Sequence, residues 1–247
     1  MFEVDIAPII QKLSIIALPV LIGITFHEAA HGFVAFRKGD PTAKFMGRLT
    51  LNPLAHIDLF GTILMPAMLY FIPLLISGQP GWLFGYAKPV PVNYFNLRRP
   101  KVDMVWVAAA GPGTNLVLAL LSGFLLRVLL TLDPNLQLYR QHFGGSIPDG
   151  SLIAAILSPI AYMLEFSVEI NILLMIFNLI PIPPLDGGRV MIGLLPEKQS
   201  NALSRLEPYG FLIIMFLLFL DPLRTIYHVL GPLFYFFKGL ILGGVAT

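Results

Sequence analysis

The sequence of 247 residues contains no cysteine and little charge. The absence of cysteine excludes a disulfide framework, a thiol nucleophile and a cysteine-ligated metal site. Charged residues make up 12% of the chain, about half the share of an average soluble domain, and the net charge is only +2. The sequence also lacks the runs of lysine and arginine that are typical of nucleic-acid binding. We therefore expect no nucleic-acid partner.

The chain is instead rich in apolar residues, which make up 56% of it. Several apolar stretches exceed the roughly 20 residues that are needed to cross a bilayer. One globular core could not bury that much apolar surface. The composition therefore predicts an all-α polytopic membrane protein embedded in a lipid bilayer. We expect a single domain over residues 1–247, with a core at about 6–190 and a C-terminal membrane segment at about 209–245.

Three long apolar helices and two further apolar segments are predicted along the chain. The long helices are expected at about residues 6–36, 102–132 and 151–180. The segment 61–76 is short and contains Pro66 and Pro73, so we expect it to be re-entrant or to lie on the membrane surface. The segment 209–245 has a break at Asp221 and is expected to form one or two spans.

Basic residues cluster in three of the stretches that connect these segments. They are Arg37, Lys38, Lys44 and Arg48; Lys88, Arg98, Arg99 and Lys101; and Arg189, Lys198 and Arg205. The stretch 133–150 holds only Arg140. Because cytoplasmic loops carry an excess of lysine and arginine, the three long helices should run in, out and in from an external N-terminus.

The first helix contains His27-Glu28-Ala29-Ala30-His31. Residues four apart share a helix face, so both imidazoles can bind one metal ion, and Glu28 can take a proton from a metal-activated water. His27 lies ten residues before Arg37, which places it about 15 Å along the helix from the charged end. Ionisable side chains at that depth are costly unless they serve a function. The alternative is a chance occurrence of two hydrogen-bonded histidines.

Asp186 is the best candidate for a third metal ligand. It follows Pro181-Ile182-Pro183-Pro184, which should end the third long helix, and it precedes two glycines that permit close backbone approach. An acid on irregular backbone at the membrane should line a cavity or bind a ligand. The alternative is a helix-capping aspartate in a surface turn. Together with the two histidines, Asp186 predicts one Zn2+ per chain with three protein ligands.

Several segments together resemble the site-2 protease family of intramembrane zinc metalloproteases, peptidase family M50. The matching segments are His27-Glu-Ala-Ala-His31, Asn52-Pro-Leu-Ala-His-Ile-Asp58, Gly85-Tyr-Ala-Lys-Pro-Val-Pro-Val-Asn93, Gly111-Pro-Gly-Thr-Asn115 and Asn178-Leu-Ile-Pro-Ile-Pro-Pro-Leu-Asp186-Gly. They occur in the family's order and cover most of residues 20–190. The chain resembles a minimal bacterial-type member, without the PDZ or CBS domains that other members carry.

The resemblance implies a three-helix catalytic core that hydrolyses peptide bonds in or near transmembrane segments of membrane protein substrates, as in regulated intramembrane proteolysis. It implies zinc ligands at His27, His31 and Asp186, a catalytic base at Glu28, and a substrate-binding or oxyanion role for Asn178. With the loop charges, it indicates a bacterial plasma membrane and an active site nearer the cytoplasmic side. The alternative is a non-proteolytic membrane metal-binding or transport protein, which would not need Glu28 between the histidines.

Residues 86–93 are predicted to form a small β element at the membrane surface. Pro89 and Pro91 remove N–H groups from one edge of such a strand. The opposite edge keeps the N–H groups of Lys88, Val90 and Val92. We expect that edge to pair either with the protein's own sheet or with an extended substrate.

Polar and small residues inside the predicted helices should face the interior of the bundle. Asn115 and Asn171 are interpreted as hydrogen-bonding residues between helices, and Gly111 as a site of close helix approach. Glu165 and Glu169 lie four apart in the third long helix and would repel each other if both were ionised. One of the two is therefore expected to be protonated or paired.

Overall fold

The computed structural model describes residues 6–78, 85–132, 152–219 and 225–243, which are mostly helical. The helices are α1 (Ile6–Arg37), α2 (Thr42–Phe45), α3 (Met65–Ser77), α4 (Pro100–Leu132), α5 (Leu152–Asn178), α6 (Asp186–Leu194), α7 (Glu197–Ser204), α8 (Glu207–Phe219) and α9 (Thr225–Leu242). Short 3-10 turns lie at Pro53–His56 and Tyr94–Asn96, and a π-helical turn at Leu59–Leu64 leads into α3. The described ranges contain no strand. The prediction of an all-α polytopic membrane protein is confirmed.

Four helical stretches in the described ranges are long and apolar enough to cross a membrane, judged by length and composition. They are Ile15–Arg37, Leu59–Ile76, Pro100–Leu132 and Ile156–Asn178. Three of them are the predicted long helices. Leu59–Ile76 contains the segment that we expected to be re-entrant or surface-lying. The break predicted at Asp221 and the predicted loop 133–150 lie outside the described residues.

Helices α1, α4 and α5 pack against one another and form the centre of the bundle. The largest apolar cluster joins α4 and α5 to α9 and includes the fully buried Leu126, Ile172 and Leu242. The ion pair between Lys238 Nζ and Glu169 Oε1, at 2.5 Å, also ties α9 to α5. Glu169 is therefore paired with Lys238, in agreement with the expectation that at least one of the two glutamates is paired or protonated.

The chain leaves α1 and enters α4 at the same place. The amide of Arg98 donates to the carbonyl oxygen of Lys38 at 3.0 Å, and Lys38 Nζ lies 3.3 Å from the buried carboxylate of Asp103. The Tyr86 amide likewise donates to the Gly61 carbonyl, so the chain after α3 returns to the turn that precedes it. Everything between α1 and α4 thus begins and ends at one end of the bundle. The re-entrant prediction for 61–76 requires this arrangement.

Residues 85–97, which we call the strap, are not the β strand that was predicted for 86–93. The amides of Tyr86, Lys88 and Val90 donate to the Gly61 carbonyl, the His56 carbonyl and the Glu28 side chain, respectively. These acceptors belong to a π-helical turn, a 3-10 turn and α1, so they offer the strap no continuous strand edge. The small β element therefore does not form in the described residues, because the amides of Lys88 and Val90, expected to pair with a sheet or a substrate, are bound to a 3-10 turn and to α1 instead.

Asp40 fixes the other end of the strap to the end of α1. Its fully buried side chain accepts hydrogen bonds from the Asn93 amide at 2.6 Å and from Asn96 Nδ2 at 3.0 Å. Burial alone would raise the pKa of Asp40, but the hydrogen bonds from Thr42, Asn96 and Asn93 hold that pKa below its usual range. Because the folded-state pKa is lowered, this stabilisation is present above the usual carboxyl pKa and is lost as the pH falls through the folded value.

Candidate metal centre

The side chains of His27 and His31 on α1 meet Asp186 at the start of α6. The two Nε2 atoms lie 3.0 Å apart, and Asp186 Oδ2 lies 3.1 Å from His27 Nε2 and 3.3 Å from His31 Nε2. All three side chains are buried. The structure thus brings together the three predicted metal ligands as one group of donor atoms. Two imidazole nitrogens and a carboxylate oxygen form a donor set that zinc accepts.

The turn between α5 and α6 places Asp186 against the histidines. Two glycines follow Asp186 and lie directly on the backbone of that turn. A Cβ atom on Gly187 would come within 2.6 Å of the Ile180 carbonyl oxygen, and one on Gly188 within 2.7 Å of Pro183 Cα. Only glycine lets α6 begin this close to the end of α5. The predicted close backbone approach after Asp186 is therefore what the structure shows.

The outer nitrogens of both histidines are held by oxygen acceptors. His27 Nδ1 lies 2.5 Å from Asn115 Oδ1, and His31 Nδ1 lies 2.7 Å from the Val107 carbonyl oxygen. Neither oxygen can donate, so each Nδ1 must carry the proton, and each neutral imidazole presents the lone pair of Nε2 inward.

The inner atoms of the group therefore fit a bound cation. Two nitrogen lone pairs face a carboxylate oxygen, Asp186 Oδ2, which is buried and receives no hydrogen bond. An ionised carboxylate and two neutral imidazoles are the protonation states that metal binding requires.

Asn115 belongs to a polar node that joins α1, α4 and α5. Its Nδ2 donates to Asn171 Oδ1 at 2.8 Å and to the Gly23 carbonyl oxygen at 3.3 Å, which turns Oδ1 toward His27. Asn171 Nδ2 in turn donates to the Ser167 carbonyl oxygen. Asn115 and Asn171 are both fully buried. Both act as hydrogen-bonding residues between helices, as their positions predicted. The contact from Asn115 to His27 was not predicted.

Glu28 and Asn178, the two predicted catalytic residues, have different surroundings. Glu28 is half-buried beside His27, and its Oε2 accepts the Val90 amide at 2.7 Å. Asn178 is also half-buried, but its Nδ2 donates to the Leu174 carbonyl oxygen inside α5. This hydrogen bond stays within α5 and does not reach the metal donors. Its oxyanion role stays a prediction.

Gly111 on α4 lies directly against the two histidines. A Cβ atom there would sit 2.5 Å from His27 Nε2 and still closer to His31 Nε2, whereas one on Gly113 would meet nothing within 4 Å. We expect Gly111→Ala to displace the imidazoles and to weaken zinc binding by at least the roughly 10- to 100-fold that loss of a ligand-orienting contact causes. Zinc affinity, measured by competition with a chelator, checks this expectation.

Gly113→Ala is the matched control for this prediction. Both substitutions add one methyl group to α4 and gain about 1 kcal/mol of helix propensity, so the control leaves only the contact with the histidines different. Wild-type zinc affinity in both variants would contradict the close contact at Gly111.

The chain matches a family model and several curated relatives over most of its length. The model described as Peptidase family M50 matches residues 15–220. A protein of Bacillus subtilis (strain 168) named "Putative zinc metalloprotease YwhC" is 36% identical over 224 residues, which cover 91% of this chain and 87% of the relative. Another relative, "Putative zinc metalloprotease Rip2" of Mycolicibacterium smegmatis, is 32% identical over 241 residues, with coverages of 94% and 80%. No solved structure matches the chain.

Proposed function

From the premise that this chain belongs to peptidase family M50 and is a zinc metalloprotease, we propose that it hydrolyses peptide bonds in or near the transmembrane segments of other membrane proteins. The position of the donor group carries this proposal. His27 and His31 lie in Ile15–Arg37, an apolar stretch long enough to cross the membrane, and Asp186 meets them inside the bundle. A substrate that reaches these residues must itself enter the membrane-embedded part of the protein.

Each polar side chain around the centre has a proposed part in the reaction. His27, His31 and Asp186 would hold the zinc ion, which would supply Lewis-acid activation of a water molecule at neutral pH. Glu28 takes the proton of the attacking water and delivers it to the leaving amine. Asn178 is proposed to contact the substrate or to stabilise the oxyanion.

The substrate helix must unwind before cleavage. A carbonyl group inside a helix is hydrogen-bonded to the amide four residues later and is surrounded by its own turn. Cleavage therefore favours transmembrane segments that unwind readily, such as those with glycine or proline near the cleavage site. We propose that proteins with such segments are the substrates that this protein cleaves in regulated intramembrane proteolysis.

A reconstituted cleavage assay tests the proposed function. The purified protein is incubated in liposomes with a panel of single-pass membrane proteins, and new chain termini are mapped by mass spectrometry. We expect cuts in or beside membrane segments that disappear with Glu28→Gln and with a zinc chelator. Cleavage confined to soluble domains, or cleavage that persists with Glu28→Gln, would contradict the proposal.

We further propose that the protein lies in a bacterial plasma membrane with the metal centre nearer the cytoplasmic side. The basic loops then predict that positions 44, 98 and 198 face the cytoplasm and that position 135 faces outward. Single cysteines can be placed at these positions without background, because the chain has none. A membrane-impermeant maleimide added from outside should label position 135 alone. External labelling of position 98 would contradict both this orientation and the re-entrant prediction for 61–76.

A further inference from the structure

We propose that the backbone amide of Val90 is a positioning group that holds Glu28 in its catalytic orientation, an inference that rests on the proposed role of Glu28 as the base. The Val90 amide donates to Glu28 Oε2 at 2.7 Å, a normal length for a hydrogen bond to a carboxylate. A carboxylate has two oxygens, so this bond fixes one of them and leaves the other for proton transfer. The strap thus provides a group that neither binds the metal nor reacts.

The packing of Val90 fixes the amide in place. The Val90 side chain is buried, and it packs against Gly32, which lies one helical turn after Glu28. A Cβ atom on Gly32 would come 3.0 Å from Val90 Cγ1, so the absence of a side chain at this position leaves room for the valine. Glu28 and Gly32 share a face of α1, and the strap lies across that face.

The strap is also fixed on both sides of Val90. The Lys88 amide donates to the His56 carbonyl oxygen at 2.9 Å, and the Asn93 amide donates to Asp40 Oδ2 at 2.6 Å. Pro89 and Pro91 flank Val90 and restrict the backbone on either side. The donor is therefore held in position by contacts that do not involve Glu28. A donor held in this way orients the carboxylate at little entropic cost.

Lys88 provides a matched comparison for Val90. Each residue directly precedes a proline, and each uses its amide to bind the strap to the rest of the protein. The acceptor differs, because Lys88 donates to a backbone carbonyl and Val90 to the proposed base. Lys88→Pro therefore tests attachment of the strap, and Val90→Pro also tests orientation of Glu28. Lys88→Ala and Val90→Ala keep the amides and control for loss of the side chains.

Hydrogen exchange tests the contact without any need for protease activity. Pro89 and Pro91 carry no amide hydrogen, so Val90 contributes the only exchangeable amide of residues 89–91. In the full-length zinc-loaded protein, Glu28→Ala should accelerate exchange at Val90 by about tenfold or more, because the acceptor is lost. Glu28→Gln keeps an acceptor oxygen and should have a smaller effect. Unchanged exchange at Val90 with Glu28→Ala would overturn the proposed contact even if no substrate had been found.

Kinetics test the positioning role on a membrane protein that the wild type cleaves and Glu28→Gln does not. Val90→Pro should lower kcat by about 10- to 100-fold, as misplacement of a catalytic group does. Zinc content should stay at the wild-type level, and KM should change much less than kcat, because the Val90 amide is bound to Glu28 and is not free to bind substrate. Val90→Ala keeps the donating amide, and Lys88→Pro removes only one of the contacts that fix the strap, so each should lower kcat clearly less than Val90→Pro does.

Two kinetic outcomes would overturn the inference. Equal losses with Lys88→Pro and Val90→Pro would show that the strap acts only through packing. Normal or increased kcat with Val90→Pro would show that the amide does not support the base. If the wild type cleaves none of the tested membrane proteins, the proposed function fails, and the exchange experiment still decides whether Val90 binds Glu28.

Discussion

Alanine in place of His31 or Asp186 should remove nearly all bound zinc from the purified protein. The wild type should carry about one zinc per chain, held by three protein ligands. Each substitution removes one of three donor atoms that lie 3.0–3.3 Å apart. Only two protein ligands then remain for the zinc ion. The loss of affinity should exceed the roughly 10- to 100-fold that follows from loss of a residue behind a ligand. Elemental analysis of protein purified without added metal measures the occupancy.

His56→Ala is a suitable control for this experiment. His56 is another buried histidine, but its Nε2 lies 2.9 Å from the Thr50 carbonyl oxygen, and it takes no part in the donor group. Zinc content near the wild-type value is therefore expected for His56→Ala. Full zinc retention in both His31→Ala and Asp186→Ala would contradict the ligand assignment.

Glu28→Gln should abolish nearly all peptide-bond hydrolysis while zinc stays bound. The substitution keeps the size of the side chain and all three metal donors, but an amide cannot accept the proton of water. Loss of a general base lowers the rate by about 10²- to 10⁴-fold. Cleavage of a membrane protein substrate and zinc content should be measured on the same preparation.

An exposed acid gives the control for Glu28→Gln. Glu197, at the start of α7, is exposed, so Glu197→Gln makes the same chemical change away from the metal donors. We expect it to leave both cleavage and zinc content unchanged. Near-normal turnover with Glu28→Gln would point to another base, or to the alternative of a non-proteolytic metal-binding or transport protein. Membership of a peptidase family favours hydrolysis over that alternative.

Local sequence patterns predicted much of the helical core. Apolar stretches at about 6–36, 102–132 and 151–180 correspond to α1, α4 and α5, with ends that differ by at most two residues. Helical periodicity alone puts His27 and His31 on one face. The proximity of Asp186 followed from a less direct argument, since a buried acid after a proline-terminated helix needs a ligand or a partner.

The strap and the helix contacts depend on tertiary structure and could not be predicted in the same way. Alternating prolines at 89 and 91 predicted an edge strand, but which acceptors its amides find depends on how residues 56 and 61 fold back. Small residues at 111–113 predicted close helix approach, yet only the bundle shows that Gly111 touches the histidines and Gly113 does not. Glu169 has its partner on α9, 69 residues further along the chain.

The polar node has an evolutionary consequence. Asn115 Nδ2 donates to Asn171 Oδ1, both side chains are fully buried, and Asn115 also orients His27. A change at either position alone would leave a buried amide unpaired, at a cost of about 1–3 kcal/mol. Substitutions at 115 and 171 should therefore be inherited as pairs, and an apolar residue at one should be accompanied by a smaller or apolar residue at the other. Relatives that keep both asparagines should also keep the same position of α4 relative to α5 along the helix axes.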